Sequence, residues 1–536
     1  MCKGEIKMQK DQAIKFRDYM FLFIVFFTVF NYIPHLVQLE FLGSQYGTKL
    51  SLYPMIFGVL GTIWFGYSKH IESIKAYKAF GCFMVIYVVV LIISIIHGLK
   101  IYPYYDAILS EPADHMKKVF FIKAVFLKFG VDLTRITLLK IWILIRAIKQ
   151  TCAEVVWGFG LSFLIFVWYK NDAKNLIRIM SKAVMGASAF VCIYGILDFF
   201  YLAGCQWASQ LLSTLNPLLH DVPSNNQWWW PPLLWPNQLR SVFPEPSYLG
   251  IWSAFAMPWL WYGSYCTTSR KTKLCYNILN LALPLCLFLS RARTANALLV
   301  GELVLFAIGT IIYGNNIWKS FIKALLCVIL AFCLSLASFQ FFINSNKKES
   351  THDNNLERNN AVVEYIDDNL TSLAEKDTRS NGTRYAIMKA GLNIGKDYPM
   401  FGVGKTFRNL YLLSYLSDQE KKYSEIQVYI KTQHDKGILN SGIPVLTEYT
   451  NRFAETGIIG VILYFIPIVV LLYKIYYFFK EKARIDETIP MLFFLISLLG
   501  ILASGIGDSL DVTYCYWILL GVGYTICYNV NMNIKR

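Results

Sequence analysis

Charge is scarce in this chain. Only 16% of its 536 residues are Asp, Glu, Lys or Arg and 55% are apolar, against roughly a quarter charged in an average soluble domain. That shortage excludes an ordinary soluble globular protein. Cysteine supplies no framework either. Of twelve cysteines, all but Cys2, Cys152 and Cys205 lie in long apolar runs, where buried thiols are common packing residues; neither a disulfide ladder nor a zinc pattern emerges. No small-residue cleavage site follows the first apolar run, so the first span is expected to stay in place as its own anchor. Cys2 sits in no lipidation pattern. No internal repeat with a period of roughly 20–50 residues is visible.

What is present is apolar sequence in long pieces. Stretches of about 17 to 25 residues, each long enough to cross roughly 30 Å of hydrocarbon as a helix, fall at 18–38, 50–66, 79–98, 151–169, 179–203, 246–266, 274–290, 294–313, 322–343, 455–478, 488–506 and 514–530. The fold expected is an all-α polytopic membrane protein of about 12 transmembrane helices. The net charge of +16 is a topology signal rather than a nucleic-acid footprint. With the N-terminus inside, the inner segments hold twenty-three Lys and Arg and the short outer loops seven, as the positive-inside rule requires. Both termini are therefore expected in the cytoplasm.

The expected organisation is nine membrane helices over 1–343, an extracytoplasmic loop domain over 344–454 and three more helices over 455–536. Residues 344–381 are polar and expected to be mobile, whereas 383–396 places Ala386, Ile387, Ala390 and Ile394 on one helical face. That helix should end before Pro399, with Phe401, Gly402, Val403 and Gly404 in a tight turn. Residues 119–149 resist the count of spans: they are apolar yet carry Lys123, Lys128, Asp132, Arg135, Lys140 and Arg146. The flanking topology demands an even number of crossings, and one amphipathic helix lying in the interface is expected in preference to a hairpin of two short spans, either gripping lipid head groups or serving as a plain basic surface.

Polar groups that converge on the outer face mark the place for chemistry. Arg240 and Glu245 follow the run WWWPPLLWPNQL and open the charge-free segment 248–266. Arg291 and Arg293 share a very short outer turn, Arg384 begins the loop helix, and Glu455 stands where the loop re-enters the membrane. Guanidinium forks bind phosphate oxygens in pairs, and a nearby carboxylate takes a proton from a hydroxyl when its pKa is tuned. Plainer roles exist for each: arginines snorkel, Glu245 caps a helix, Glu455 faces a helix dipole. Trp207, Trp228, Trp229, Trp230 and Trp235 form an interfacial belt or line a glycan groove, and His434 is a solvated histidine or a contact to the glycan.

The segment RSVFPEPS (240–247) resembles the R-x-x-F-x-E-P-S signature of O-antigen and exopolysaccharide polymerases, within the O-antigen ligase/polymerase superfamily. Three further pieces fall in the expected order: SRAR (290–293), Arg384 leading to PMFGVG (399–404), and ETGIIG (455–460). The resemblance covers roughly residues 180–480. It implies a glycosyltransferase needing neither nucleotide sugar, metal nor cofactor, whose donor is a glycan on undecaprenyl diphosphate. Arg240, Arg291, Arg293 and Arg384 would then hold the diphosphate, Glu245 or Glu455 would orient or deprotonate the acceptor hydroxyl, and Trp228, Trp229, Trp235 and His434 would touch glycan.

Ligases of the superfamily carry a His-Asn pair about nine residues before the loop-closing glutamate. Leu446 and Thr447 stand there in this chain, which favours a polymerase of the bacterial inner membrane, working with a flippase and a chain-length regulator. An O-antigen ligase or protein O-oligosaccharyltransferase is the rival within the superfamily, and a flippase the rival outside it. Carriers usually place ionisable groups at mid-membrane and show a repeat; here Asp198 and Glu302 are the only acids well inside the stretches read as spans.

Overall fold

The computed structural model describes residues 3–43, 45–65, 74–222, 230–347, 379–480 and 485–534. Among these the chain is helical, with one isolated antiparallel bridge between Asn31 and Lys49. In chain order the principal helices are α1 (Lys3–Phe26), α2 (Leu52–Trp64), α3 (Ile74–Ile101), α4 (Lys117–Lys128), α5 (Arg135–Tyr169), α6 (Ala173–Leu202), α7 (Gln206–Leu219) and α8 (Pro246–Cys266). There follow α9 (Arg270–Leu289), α10 (Arg293–Tyr313), α11 (Asn315–Lys347), α12 (Arg379–Asp397), α13 (Ser424–Lys436), α14 (Glu448–Lys480), α15 (Ile485–Ser504) and α16 (Cys515–Ile534). Seven of them, α3, α5, α6, α9, α10, α11 and α14, contain segments long and apolar enough to cross a membrane. The other five stretches read as spans fall on α1, on α8 and on the shorter apolar helices Leu52–Trp64, Thr488–Ser504 and Cys515–Tyr528.

Two stretches differ from the sequence reading. The first helix stops at Phe26 rather than near residue 38, and it runs back through the charged N-terminal stretch instead. Its Arg17 is buried by partners: salt bridges to Asp18 (2.8 Å) and Asp172 (2.9 Å), and the Tyr169 ring 4.1 Å below its guanidinium. The basic stretch 119–149 is not one surface helix. It breaks at Gly130, where φ is +73°, and restarts at Thr134, whose hydroxyl accepts from the Thr137 amide (3.3 Å) as an N-cap. From there α5 runs unbroken through a π-turn at Glu154–Phe159 to Tyr169. The charges of 135–149 alternate with Ile and Leu at helical spacing, so nothing in them stops a helix.

The charge-free segment is deeply enclosed. Along α8, Trp252, Trp259 and Trp261 are fully buried, packed among α6, α9, α10 and α15; a helix apolar all round belongs inside a bundle. A second core joins Tyr102, Leu139 and Ile143 to Val403, Phe407 and Leu439, so the first half of α5 packs against the insertion. In α12 the face Ala386, Ile387, Ala390 and Ile394 is buried as its spacing predicts.

The turn after α12 grips α14. At Gly457 that helix is interrupted (φ +63°, ψ −172°), and a Cβ there would lie 2.4 Å from the Met400 carbonyl. The freed backbone groups are satisfied by the turn: Ile458 N donates to Pro399 O (2.8 Å), Val403 N to Ala454 O (2.9 Å) and Gly404 N to Glu455 O (2.9 Å). Ser94 of α3 donates to the Phe401 carbonyl (2.7 Å), closing the loop end of the bundle.

Candidate active site at the loop end of the bundle

The segment before α8 shows why its residue types recur together. Arg240 is buried, and its guanidinium donates to the carbonyls of Pro232 (2.9 Å), Leu233 (2.9 Å) and Pro244 (3.2 Å). The Arg240 and Ser241 amides donate to the Asp198 carboxylate at 3.0 and 2.6 Å. Leu239 N donates to Leu289 O (3.1 Å), tying the segment to the α9–α10 turn. Phe243 is buried beneath, Pro246 occupies the first turn of α8, where its missing N–H costs nothing, and Ser247 donates to Glu245. The motif is thus a fold that delivers Glu245.

Glu245 caps no helical amide. Its carboxylate accepts from Trp230 Nε1 at 2.8 Å and from the Ser247 hydroxyl. Groups from distant parts of the chain gather near it. Arg384, from α12, donates through Nη1 to the Gly507 carbonyl in the α15–α16 turn. The next residue, Asp508, feels Glu245, Arg384 and Glu448 and accepts from the Ser509 amide (2.8 Å). Thr294, adjoining Arg293 at the start of α10, approaches the same Gly507 within 4 Å of where a Cβ would stand. Tyr32, from the loop after α1, stacks edge-on with Trp230 at 4.4 Å between centroids, and Trp230 meets Tyr248 at 5.9 Å.

Asp508 is one of several acids whose carboxyl is pushed up by burial, Asp511 among them. Burial and then the like charge of Glu245 push the Asp508 carboxyl up to about 7, against the opposing pull of Arg384 and the Ser509 amide. Burial, Glu245 and Asp508 likewise push the Tyr32 hydroxyl up to about 12. Glu245, Asp508, Arg384, Tyr32 and Trp230 are all half-buried. A carboxyl poised at neutrality, beside a second carboxylate and a guanidinium, is fitted to accept a proton next to a bound anion.

Glu455 belongs to a different group of charges, facing Lys405, Arg452 and Arg408. Behind it runs a buried ion network. Arg452 donates to Glu154 (2.7 Å), Glu448 and Asp511 (3.4 Å), and Lys405 donates to Glu154, which also takes the Tyr87 hydroxyl. Asp511 accepts from Trp517 (2.7 Å) and Gln45 (2.6 Å), and Glu448 accepts from Ser509 (2.8 Å). This network locks α5, α14, the 399–405 turn and the α15–α16 turn together.

The four arginines read as one anion site do not all point into one pocket. Arg384 and Thr294, the residue after Arg293, approach each other beside Gly507. The Arg240 guanidinium is spent on three carbonyls, and Arg291, held at φ +50°, lies over the Phe339 ring at 4.9 Å. Trp235 donates to Gln238 (2.9 Å). His434 is exposed on α13 beside Asp435 (3.3 Å). Trp228 and Trp229 lie outside the described residues, as does most of the polar stretch 344–381. Sequence reasoning missed Asp508, Tyr32 and Arg452. For Asp508 the available signal was an acid in the short loop between the last two spans, on the face where the other acids and arginines were being gathered.

Residues 278–465 match the family model described as O-Antigen ligase, consistent with the O-antigen ligase/polymerase superfamily. The matched stretch holds Arg291, Arg293, Arg384 and Glu455 and stops short of Glu245 and Asp508. Comparison with curated proteins finds no match.

Proposed function

We propose that this chain, which matches an O-antigen ligase family model over residues 278–465, is a polysaccharide polymerase joining lipid-linked repeat units at the outer face of the bacterial inner membrane. The donor is a glycan on undecaprenyl diphosphate, and the acceptor is the terminal sugar hydroxyl of a second lipid-linked unit. The hydroxyl oxygen bonds to the donor's anomeric carbon, the carbon–oxygen bond to the diphosphate breaks, and the lipid diphosphate leaves with the electron pair. Asp508 takes the hydroxyl proton. Burial and then the Glu245 charge keep Asp508 near neutrality, Glu245 orients the acceptor, and Arg384, with Arg293 at the adjoining helix start, offsets the charge on the departing diphosphate. Arg240 shapes the segment that presents Glu245. Tyr32 and Trp230 offer ring faces to the acceptor sugar.

The observation that carries this reading is the meeting of Glu245, Arg384 and Asp508 from three distant parts of the chain. Leu446 and Thr447, in place of the His-Asn pair of ligases, favour polymerase. The family match, described as a ligase, supports transfer of finished glycan as the second reading. Deleting the gene and returning either wild type or Asp508→Asn tests both. A polymerase deletion leaves a single repeat unit on the surface acceptor, restored to long chains by wild type and not by Asp508→Asn. Accumulation of long lipid-linked polymer in the deletion strain would reassign the chain to the ligases.

A further inference from the structure

One feature of the loop end takes no part in this site. Between residues 117 and 149 the chain carries eight Lys and Arg and a single acid, Asp132. The helix α4 buries Val119 and Ile122 and turns Phe120, Phe121 and Leu127 outward; Phe121 is 70% exposed, and Phe129 in the following turn is 77% exposed. Lys117, Lys118, Lys128 and Arg135 are exposed around this apolar tip. The Lys118 ammonium stands 5.7 Å from the Trp142 ring, so the cations flank an aromatic surface instead of covering it.

The length of α5 says where this tip lies. Its 35 residues make a helix roughly 52 Å long at 1.5 Å per residue, far more than about 30 Å of hydrocarbon needs. A helix standing straight would hold Ile136, Ile145 and Ile148, all exposed, in water. A helix leaning over lays that face, and the phenylalanines beside it, into the head-group layer that surrounds the bundle. Exposed phenylalanine ringed by lysine and arginine is the composition of segments that rest in a membrane interface, where each cation adds attraction to anionic head groups.

We propose that the α4–α5 hairpin tip is a membrane-surface paddle that inserts Phe121 and Phe129 among head groups at the loop end and selects anionic phospholipid there. The proposal stands on this hairpin alone and is independent of the polymerase reading. A photocrosslinking experiment on the full chain in nanodiscs tests it. The aromatic amino acid p-benzoylphenylalanine replaces Phe121 or Phe129, with position 311 on the bundle's apolar flank as the lipid-facing control and position 385 as the control on the insertion. The discs contain phosphatidylcholine with or without phosphatidylglycerol.

Irradiation is expected to give phospholipid adducts at 121 and 129 and none at 385, with phosphatidylglycerol over-represented at least roughly threefold relative to its mole fraction. The triple change Lys117→Gln, Lys118→Gln and Lys128→Gln should return that ratio to the mole fraction while leaving adducts at 311 unchanged. Absence of lipid adducts at both tip positions overturns the proposal. So do adducts that merely follow lipid composition, or crosslinks to a second protein chain instead of lipid.

Discussion

Two groups of charges lie close together at the loop end of this bundle, and they are built from the same residue types to opposite ends. Around Arg452 every charge has a partner: Glu154, Glu448, Asp511 and Lys405 are buried and cross-bonded. Around Asp508 the groups are half-buried, two carboxylates share the space, and one of them is held near neutrality. A buried carboxylate with two cations is a strut. A half-open carboxyl beside another carboxylate is a group whose charge can change during a reaction. Whether an acid is satisfied therefore says more about its work than whether it is buried.

The sharpest way to break this contrast is Asp508→Asn. Removing a general base should lower polymer formation by roughly 10²–10⁴-fold, while the amount of protein in the membrane and its melting temperature in detergent stay near wild type. The pH dependence has a fixed sign. The base works deprotonated, so wild-type rate should rise with pH through about 7 and level off above it, and the inflection should vanish in the variant. A wild-type rate flat across that range would remove Asp508 from the reaction.

Arg452→Ala tests the other half. It leaves Glu154 and Glu448 buried without their guanidinium, a cost of about 3–5 kcal/mol, so the detergent-solubilised protein should melt well below wild type or fail to accumulate. Arg384→Ala, made in the open group, should melt near wild type and lose activity. If both variants lose stability alike, the distinction between strut and site is wrong.

Glu245→Gln probes the coupling between the two open carboxyls. Because the Glu245 charge helps push Asp508 up to about 7, its removal should move the inflection of the pH–rate profile to lower pH, and the direction is the diagnostic. An inflection that stays in place would mean that burial alone sets the Asp508 carboxyl.

The sequence told much about the bundle and less about the site, for physical reasons. Apolar length is a local property, so helices fall on all twelve stretches even though α1 stops early at Phe26. The face of Ala386, Ile387, Ala390 and Ile394 was equally plain, because helical spacing is local too. Arg240 and Glu245 were legible as a pair of conspicuous charges beside a charge-free helix, but the distinction between them was not. Arg240 meets three carbonyls that only the folded turn brings within reach. Asp508 and Tyr32 act through neighbours hundreds of residues away, and nothing in SGIGDSL or FNYIP announces that meeting. The break at Gly130 and the continuity of 135–149 with the apolar stretch that follows were not legible, because the charges of 135–149 obscure a helix that simply extends past the length a bilayer requires.

The smallest effect expected is also the most specific to the open group. Trp230 donates to Glu245 and stacks with Tyr32, so Trp230→Phe keeps a ring face while deleting the N–H, and Trp230→Ala deletes both. Loss of one stacking face is worth about 1 kcal/mol, which corresponds to roughly a fivefold rise in KM for the acceptor unit. The alanine variant should show that rise with kcat little changed, since the ring binds ground state and transition state alike. The phenylalanine variant should keep the wild-type KM and instead shift the pH profile, because Glu245 has lost a donor. If the two variants behave identically, Trp230 serves Glu245 alone and the sugar-stacking role of the Tyr32–Trp230 pair is wrong.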